Sequence, residues 1–224
     1  MAVAPRRRRV VPMRSPVQRG KRGRYHHGDL RRALLDAALA VLTEADSRAL
    51  TLREVARRAG VTHAAPYRHF ADKEALLAAV AEEGFHTLRQ TMSEAQDAAG
   101  GGEVERLEAL GVGYVRFALA HPAHFEVMFG PELGWEEEDS PLHQAADATF
   151  ALLLQSVTAA QTAGKLRGSE PLPVALLAWS TVHGLATLLV HGSFKHVEEQ
   201  LPPSAEALAQ QMTRDLTRGL RTGG

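Results

Sequence analysis

The chain has 224 residues, carries a formal net charge of zero, and is 45% hydrophobic. This is enough for two small domains or one larger one with a sizeable core. The absence of cysteine excludes disulfides and thiolate metal sites and is typical of proteins in a reducing cytosol. Few segments alternate as strands do, so we expect a nearly all-α fold.

Charge is distributed unevenly along the chain. Residues 1–100 hold 18 Lys/Arg and 11 Asp/Glu, whereas residues 101–224 hold 8 and 15. A basic half attracts a polyanion and an acidic half does not. We therefore expect one domain that faces nucleic acid and a second domain with another partner.

The N-terminal segment is basic throughout. Residues 1–24 contain nine Lys/Arg and no Asp/Glu. Such a segment cannot bury enough apolar surface to fold alone, and we expect a disordered basic arm over residues 1–27. It has no apolar run of the kind found in secretory signals. It is either an arm that contacts DNA, which we favour, or a solvated tail without a role.

The first helix is predicted from Asp29, which would cap it, to Glu44. Its role is to support the helices that follow. Apolar residues at helical spacing mark its core face: Leu30, Leu34, Ala37, Ala38 and Val41.

Residues 50–70 predict two short helices joined by a tight turn. Thr51 can cap the first helix, and Glu54 stands where it would complete a capping box. Gly60 can adopt the left-handed conformation that ends a helix. Thr62 can cap a second helix of about two turns. This arrangement is the helix-turn-helix motif, whose second helix enters the DNA major groove.

Two interpretations of this motif are open from its pattern alone. Arg53, Arg57 and Arg58 lie on the outer side of the first predicted helix, and the second helix carries polar tips rather than core residues. A helical corner used only for packing would not need so many donors. A solvated basic face is nevertheless common in all-α proteins. From the two-helix pattern alone, DNA binding and a purely structural role are therefore about equally favoured.

The run from Gly28 to about His86 resembles the DNA-binding domain of the TetR/AcrR family of bacterial transcription regulators. The resemblance is carried by the helix face that contains Leu34, Ala37, Ala38 and Leu42, by TLREVARRAGV from Thr51 to Val61, and by YRHFADKEALL from Tyr67 to Leu77. One departure is Pro66, where the wider family usually has another apolar residue. Proline lacks the N–H, but near a first helical turn that loss is small.

The resemblance implies a three-helix DNA-binding domain over residues 28–86 and a helical ligand-binding and dimerisation domain over residues 87–224, linked by a fourth helix that starts at Asp72. It also implies a double-stranded DNA operator as partner, with Lys73 and Tyr67 on phosphates. We expect DNA contacts from Arg24, Tyr25, Thr51, Arg53, Thr62, His63, Ala64, Pro66, Tyr67, Arg68, His69 and Lys73.

The C-terminal half continues the helical pattern, for a total of about nine helices. Further helices are predicted at about 103–121, from Pro122, at 142–163, at 173–190 and from Ser204. The segment 173–190 is apolar on nearly every side, which predicts a buried helix. Its length approaches a membrane span, but polar residues interrupt it and we expect no membrane contact.

The segment around Trp179, His183 and Gly184 resembles a subclass of the same family whose ligand domain is named for a Trp-His-Gly signature. This implies a small-molecule effector and a homodimer. The predicted pocket residues are Phe85, Phe125, Met128, Phe129, Trp179 and His183. The resemblance also implies a four-helix dimer interface, formed by the helix at 173–190 and by the i, i+4 stripe of Leu208, Met212, Leu216 and Leu220 on the last helix of each subunit.

Eleven histidines raise the alternative of an enzyme or a metal site. The sequence contains no His-Glu-x-x-His motif, no Gly-rich phosphate loop after a strand and no nucleophile elbow. A histidine on an apolar helix, such as His183, is more often a hydrogen-bonded core residue than a ligand. We therefore expect no catalysis, no cofactor and no metal.

The sequence predicts a cytoplasmic, homodimeric DNA-binding transcription regulator. We expect a repressor that releases a near-palindromic operator when a small apolar or amphipathic ligand binds. The fourth helix would carry the signal, and Gly84 within it would allow a close approach to a neighbour. The alternatives are a DNA-tethered module that binds another protein and, less favoured, a histidine-dependent enzyme.

Overall fold

The computed structural model describes residues 27–45, 49–134, 139–195 and 197–221. The described residues form eight α-helices and no sheet, apart from one isolated antiparallel bridge between Leu166 and Arg221. The predicted all-α fold is therefore confirmed. The helices are α1 (His27–Glu44), α2 (Leu52–Arg58), α3 (Lys73–Ala98), α4 (Glu103–Ala120), α5 (Pro122–Phe129), α6 (Pro141–Thr162), α7 (Pro171–Val190) and α8 (Ala205–Leu220).

The first helix supports the two-helix motif, as the sequence predicts. α1 begins two residues before the predicted start, and it buries Leu34, Ala38 and Val41. It packs against α2, α3 and α5. At the end of the motif, Phe70 is also buried, and the Arg31 guanidinium of α1 lies 5.6 Å from its ring centroid.

The second helix of the motif differs from the prediction. Instead of two α-helical turns from Thr62, the structure has tight turns followed by a single 3₁₀ turn over Pro66–Arg68. The reason is local, because Pro66 has no N–H to donate to the Thr62 carbonyl. That carbonyl accepts from Ala65 N at 2.9 Å instead, and His69 N bonds Pro66 O at 2.9 Å. The i, i+3 bonds give the segment its 3₁₀ character.

The long helix α3 joins the two halves of the molecule. It has 26 residues, which corresponds to about 39 Å at 1.5 Å per residue. Asp72 caps its N-terminus by accepting from Ala75 N at 2.8 Å. α3 packs against α1 near the motif and against α4, α5 and α6 further along. It is thus in contact with both the N-terminal helices and the C-terminal ones.

The predicted close approach at Gly84 is present. Gly84 is buried where α3 crosses α5. A Cβ at this position would overlap Met128 Sδ and would lie 3.0 Å from Met128 Cγ and 3.3 Å from His124 Cβ. The missing side chain therefore lets α3 and α5 pack directly against each other.

The C-terminal helices surround α4, which is buried along most of its length and packs against α3, α6, α7 and α8. α7 does not have the all-round burial that its apolar sequence predicts, because α4, α6 and α8 cover only part of its surface. Four of its leucines are exposed by 43% to 49%: Leu172, Leu176, Leu177 and Leu188.

By length and composition alone, α7 is the one helix in the described part of the chain that could cross a membrane, and 33% of its most apolar 18-residue window is buried in the structure. Apolar core helices of soluble proteins meet the same criterion. We refer to these four exposed leucines together as the α7 leucine face, and two of them, Leu172 and Leu176, also line the cavity described below.

Candidate nucleic-acid interface and ligand cavity

The motif begins with the predicted cap on α2. Thr51 is extended, and its hydroxyl accepts from Glu54 N at 3.1 Å. The other half of the predicted capping box does not form, because the Glu54 carboxylate accepts instead from Arg57 at 2.8 and 2.6 Å and from Arg58 at 3.1 Å. These hydrogen bonds, first to Arg57 and then to Arg58, lower the pKa of Glu54 to about 2.

The turn after α2 depends on a glycine in the left-handed region. Gly60 has φ +68°. Its N–H bonds Arg57 O at 3.3 Å, and Val61 N bonds Ala56 O at 3.0 Å. This pair of bonds is the Schellman arrangement that ends a helix, and a residue with a Cβ would be strained there. The glycine thereby sets the direction in which the chain enters the second half of the motif.

The outer arginines of α2 divide into two groups. Arg57 and Arg58 are held by carboxylates, since Arg58 also pairs with Glu44 of α1. These contacts attach α2 to α1. Arg53 is exposed and has no carboxylate partner among the described residues. Of the three, Arg53 is therefore the donor available to a phosphate.

The predicted DNA-contact residues lie on one end of the molecule but differ in exposure. Pro66 is fully buried and supports the 3₁₀ turn, so it cannot contact DNA in this conformation. His69 and Lys73 are half-buried, and Arg24 and Tyr25 lie outside the described residues. The remaining predicted residues are exposed: Thr51, Arg53, Thr62, His63, Ala64, Tyr67 and Arg68.

Lys73 has a partner that the sequence did not indicate. Its Nζ lies 2.7 Å from Oε2 of Glu132, in the segment between α5 and α6. The two side chains are 33% and 35% exposed. The lysine expected on phosphate is therefore paired with a carboxylate from the other half of the molecule. The two residues are 59 positions apart in sequence, and no local pattern connects them.

A cavity of about 700 Å³ lies among α3, α4, α6, α7 and α8, with the end of α5 at its margin. Four of the six predicted pocket residues line it: Phe85, Met128, Phe129 and Trp179. Phe125 and His183 lie behind this wall. Their rings are 5.3 Å apart, and the His183 ring lies 4.7 Å from that of Phe129.

His183 is hydrogen-bonded within this aromatic cluster. Its Nδ1 lies 2.8 Å from the hydroxyl of Tyr114, which lines the cavity. Burial lowers the pKa of His183 and raises the pKa of Tyr114. Both groups are therefore neutral near pH 7, and the Tyr114 O–H donates to the unprotonated Nδ1. His183 thus orients Tyr114 in the cavity wall.

The predicted dimer stripe on α8 faces inward. Leu216 and Leu220 line the cavity, Leu208 is buried within the chain, and Met212 is half-buried against the core. Thr213 and Thr217 on the same face also line the cavity and are buried. The i, i+4 spacing correctly identified the apolar side of α8, but periodicity cannot tell an internal partner from a second subunit.

The chemistry of the cavity also includes residues that the sequence did not single out. Glu108 on α4 and Asp147 on α6 both line it. No group of three or more potential metal-ligating side chains occurs within the described ranges. Most of the residues that line the cavity are apolar and a few are polar, as in most small-molecule sites.

The sequence matches two family models. The model described as bacterial regulatory proteins of the tetR family matches residues 34–80, which include α2 and the 3₁₀ turn. The model described as the tetracyclin repressor-like C-terminal domain matches residues 107–216, which include most of the cavity wall. The two matches thus cover both functional regions.

Solved structures agree in fold. A protein of unknown function from Rhodococcus sp. RHA1 is 36% identical, with TM-score 0.77 over 89% of this chain and all of that chain. A tetR-family regulatory protein from Rhodococcus RHA1 is 20% identical, with TM-score 0.67 over 87% of this chain and 98% of that chain. FadR from Bacillus subtilis, solved in complex with stearoyl-CoA, is 18% identical, with TM-score 0.65 over 84% of this chain and 98% of that chain.

The helix-turn-helix domain comes first in the chain, and the long helix joins it to the cavity domain. The two family models match these two domains in that order. The chain belongs to the TetR family of bacterial regulatory proteins and is a DNA-binding transcription regulator.

Proposed function

We propose that this protein is a cytoplasmic, homodimeric repressor that binds a near-palindromic operator and releases it when a small ligand occupies the cavity. The observation that carries the proposal is the course of α3. Its first residue, Lys73, lies at the motif, and Phe85, Leu88 and Met92 further along line the cavity. A ligand that fits one tilt of α3 better than another therefore shifts the position of the motif.

The proposed DNA surface comprises the exposed polar residues of the motif. His63 and Arg68 would reach base edges, and Arg53 and Tyr67 would contact phosphates, as would Lys73 once it leaves Glu132. Tyr67 is 56% exposed although it is large and aromatic. An exposed aromatic hydroxyl beside exposed arginines suits a phosphate contact better than it suits the core.

The proposed dimer uses the α7 leucine face. A set of exposed leucines on one helix is the kind of apolar patch that a second copy covers in an isologous interface. α8 packs beside α7, so its half-exposed Met212 can join the margin of that interface. This keeps the α7 part of the predicted four-helix interface and revises the α8 stripe, because Leu208 already has an internal partner in the core.

The cavity is the proposed effector site, in keeping with the subclass that the Trp179, His183 and Gly184 segment resembles. A volume of about 700 Å³ lies within the range of about 300–1,000 Å³ that is usual for ligand pockets. The ligand would contact α3 directly through Phe85 and would contact the end of α5 through Phe129. α3 begins at Lys73, and the segment after α5 carries Glu132, the partner of Lys73.

The test begins with selection of bound sequences from random duplex DNA by the purified protein. We expect a near-palindromic consensus and binding that weakens steeply with salt. Arg68→Ala should weaken binding, whereas Arg214→Ala, which removes an exposed arginine from α8, should not. Binding without sequence preference, or equal effects of the two substitutions, would contradict the proposed DNA surface.

The second step tests release. Compounds that raise the melting temperature would be identified by thermal shift and then titrated with and without the selected operator. Operator DNA must lower ligand affinity by the same factor by which the ligand lowers DNA affinity, typically 5–150-fold. Equal ligand affinity in both titrations would refute the repressor mechanism and favour a DNA-tethered module that binds another protein.

A further inference from the structure

We infer that the cavity takes a lipophilic amine, with its apolar body against the aromatic wall and its cationic group on Glu108, and that it rejects fatty acids and acyl thioesters of coenzyme A. The inference rests on the proposed function in one respect, that the cavity is a ligand site. It adds the charge class of that ligand.

The charged groups in the wall are of one sign. Among the described residues that line the cavity there are two carboxylates, Glu108 and Asp147, and no Lys, Arg or His. Asp147 is exposed on α6 and Glu108 is half-buried on α4. A chamber lined by apolar surface and carboxylates concentrates cations and repels anions, because low-dielectric walls focus the field.

Glu108 has the geometry of an anchor. Its Oε1 accepts a hydrogen bond from the Thr217 hydroxyl of α8. Its Oε2 accepts no hydrogen bond from a described residue, and no described Lys or Arg forms an ion pair with it. Thr217 thus orients the carboxylate and leaves one oxygen open. A ligand amine at that oxygen would form a charge-assisted hydrogen bond in a site partly shielded from water.

The hydroxyl groups in the wall are already engaged as donors. Tyr114 donates to His183, Thr149 donates to the carbonyls of Phe85 and Ala145, and Thr213 donates to the carbonyl of Ala209. Together with Thr217, these hydroxyls leave no free O–H for an anionic head group. A carboxylate or phosphate would therefore enter the cavity without a hydrogen-bond donor from these groups and would face Glu108.

The aromatic wall favours the same class of ligand. Trp179 packs edge-on against Phe150 at 5.9 Å and lies 6.3 Å from Phe129, and all three line the cavity. Aromatic faces attract cations and accept apolar chains, and the indole N–H of Trp179 is engaged, since it donates to the Tyr114 hydroxyl. The negative charge of the wall, its engaged hydroxyl donors and its aromatic rings therefore all favour a cationic amphiphile as the ligand.

The test uses three probes with the same chain and different head groups: dodecylamine, dodecan-1-ol and dodecanoate. The protein would carry Trp135→Phe, which leaves Trp179 in the cavity wall as the only tryptophan of the chain. A change in the intensity or the emission maximum of its fluorescence then reports occupancy of this cavity. We expect dodecylamine to bind at least about tenfold more tightly than dodecanoate, which corresponds to about one charged contact.

The variant Glu108→Gln keeps the shape of the side chain and removes its charge. It should weaken dodecylamine binding about tenfold and leave dodecanol binding unchanged, which also shows that the variant is folded. Glu103→Gln removes a charge from the same helix outside the cavity wall and should change neither affinity. The comparison of amine and dodecanoate in the parent protein does not depend on any variant at position 108.

Dodecanoate binding as tight as that of dodecylamine, an unchanged amine affinity in Glu108→Gln, or no binding by any of the three probes would each overturn the inference. Operator binding separates this result from the proposed function. If dodecylamine binds as expected and leaves operator affinity unchanged, the ligand class stands and the proposed release mechanism fails.

Discussion

In the free protein Lys73 is paired with Glu132. We therefore expect Glu132 to compete with DNA phosphate for Lys73 and to lower the affinity for the operator. In Glu132→Gln, Lys73 would no longer be held at 2.7 Å from a carboxylate and a negative charge near the DNA would be lost. Because both side chains are about one-third exposed, the pair contributes about 0.2–1 kcal/mol. Operator affinity should therefore rise by about 1.5- to 5-fold.

Fluorescence anisotropy at several salt concentrations measures this effect. A newly available phosphate contact should also make the plot of log K against log salt steeper by up to about 0.9. Glu126→Gln is the matched control, because Glu126 is an exposed carboxylate on α5 whose side chain lies 3.8 Å from His191 rather than at the motif. It should leave both quantities nearly unchanged.

A double-mutant cycle with Lys73→Ala isolates the pair. If Glu132 acts through Lys73, then Glu132→Gln should have little effect on DNA affinity in the Lys73→Ala background. A fall in operator affinity in the single variant Glu132→Gln would refute the reasoning. It would mean that the pair holds α3 in its DNA-binding position and does not compete with phosphate.

Other predictions concern the arm, the motif, the dimer and the long helix. Deleting residues 1–23 should make the salt dependence of DNA binding shallower by about 0.9 per lost phosphate contact. His63→Ala should relax the preference at one base position in a selection experiment, at a cost of about 1–3 kcal/mol. Leu177→Glu should give monomers in ultracentrifugation and lower operator affinity while the helical circular dichroism is kept. Gly84→Ala should lower the free energy of unfolding in urea by about 1–3 kcal/mol because its Cβ overlaps α5, whereas Gly219→Ala, with no atom within 4 Å, should not.

Local features of the fold could be predicted because local chemistry decides them. The cap at Thr51 and the left-handed Gly60 depend on groups within a few residues of each other. The close approach at Gly84 could also be expected, because a buried helix gains nothing from glycine unless a neighbour needs the space. The prediction for the second half of the motif is wrong, because it treats the loss of the Pro66 N–H as small, whereas that loss removes the first i, i+4 hydrogen bond of a helix capped at Thr62.

The features that were missed depend on pairs distant in sequence. The partner of Lys73 lies beyond two further helices, and the acceptor of the Thr217 hydroxyl, Glu108, lies 109 residues away. The inward face of α8 and the half-exposed α7 illustrate the same limit. Hydrophobic periodicity identifies which side of a helix is apolar, but whether the chain's own core or a second subunit covers that side is decided by tertiary packing.

Two physical routes connect the cavity to the DNA-facing lysine, and they differ in what a ligand must do. Along α3, Phe85 lies in the cavity wall and Lys73 lies in the first turn, so a ligand acts by changing the tilt of a rigid helix. Along the segment after α5, Phe129 and Gly130 line the cavity and Glu132 follows two residues later on Lys73. The second route needs no tilt, because a small shift of this segment strengthens or breaks a single ion pair. A value of about 1 kcal/mol for that pair is at the lower end of the coupling of about 1–3 kcal/mol that is typical of allosteric proteins. The ion pair can therefore adjust the response, but full release of an operator requires the movement of α3.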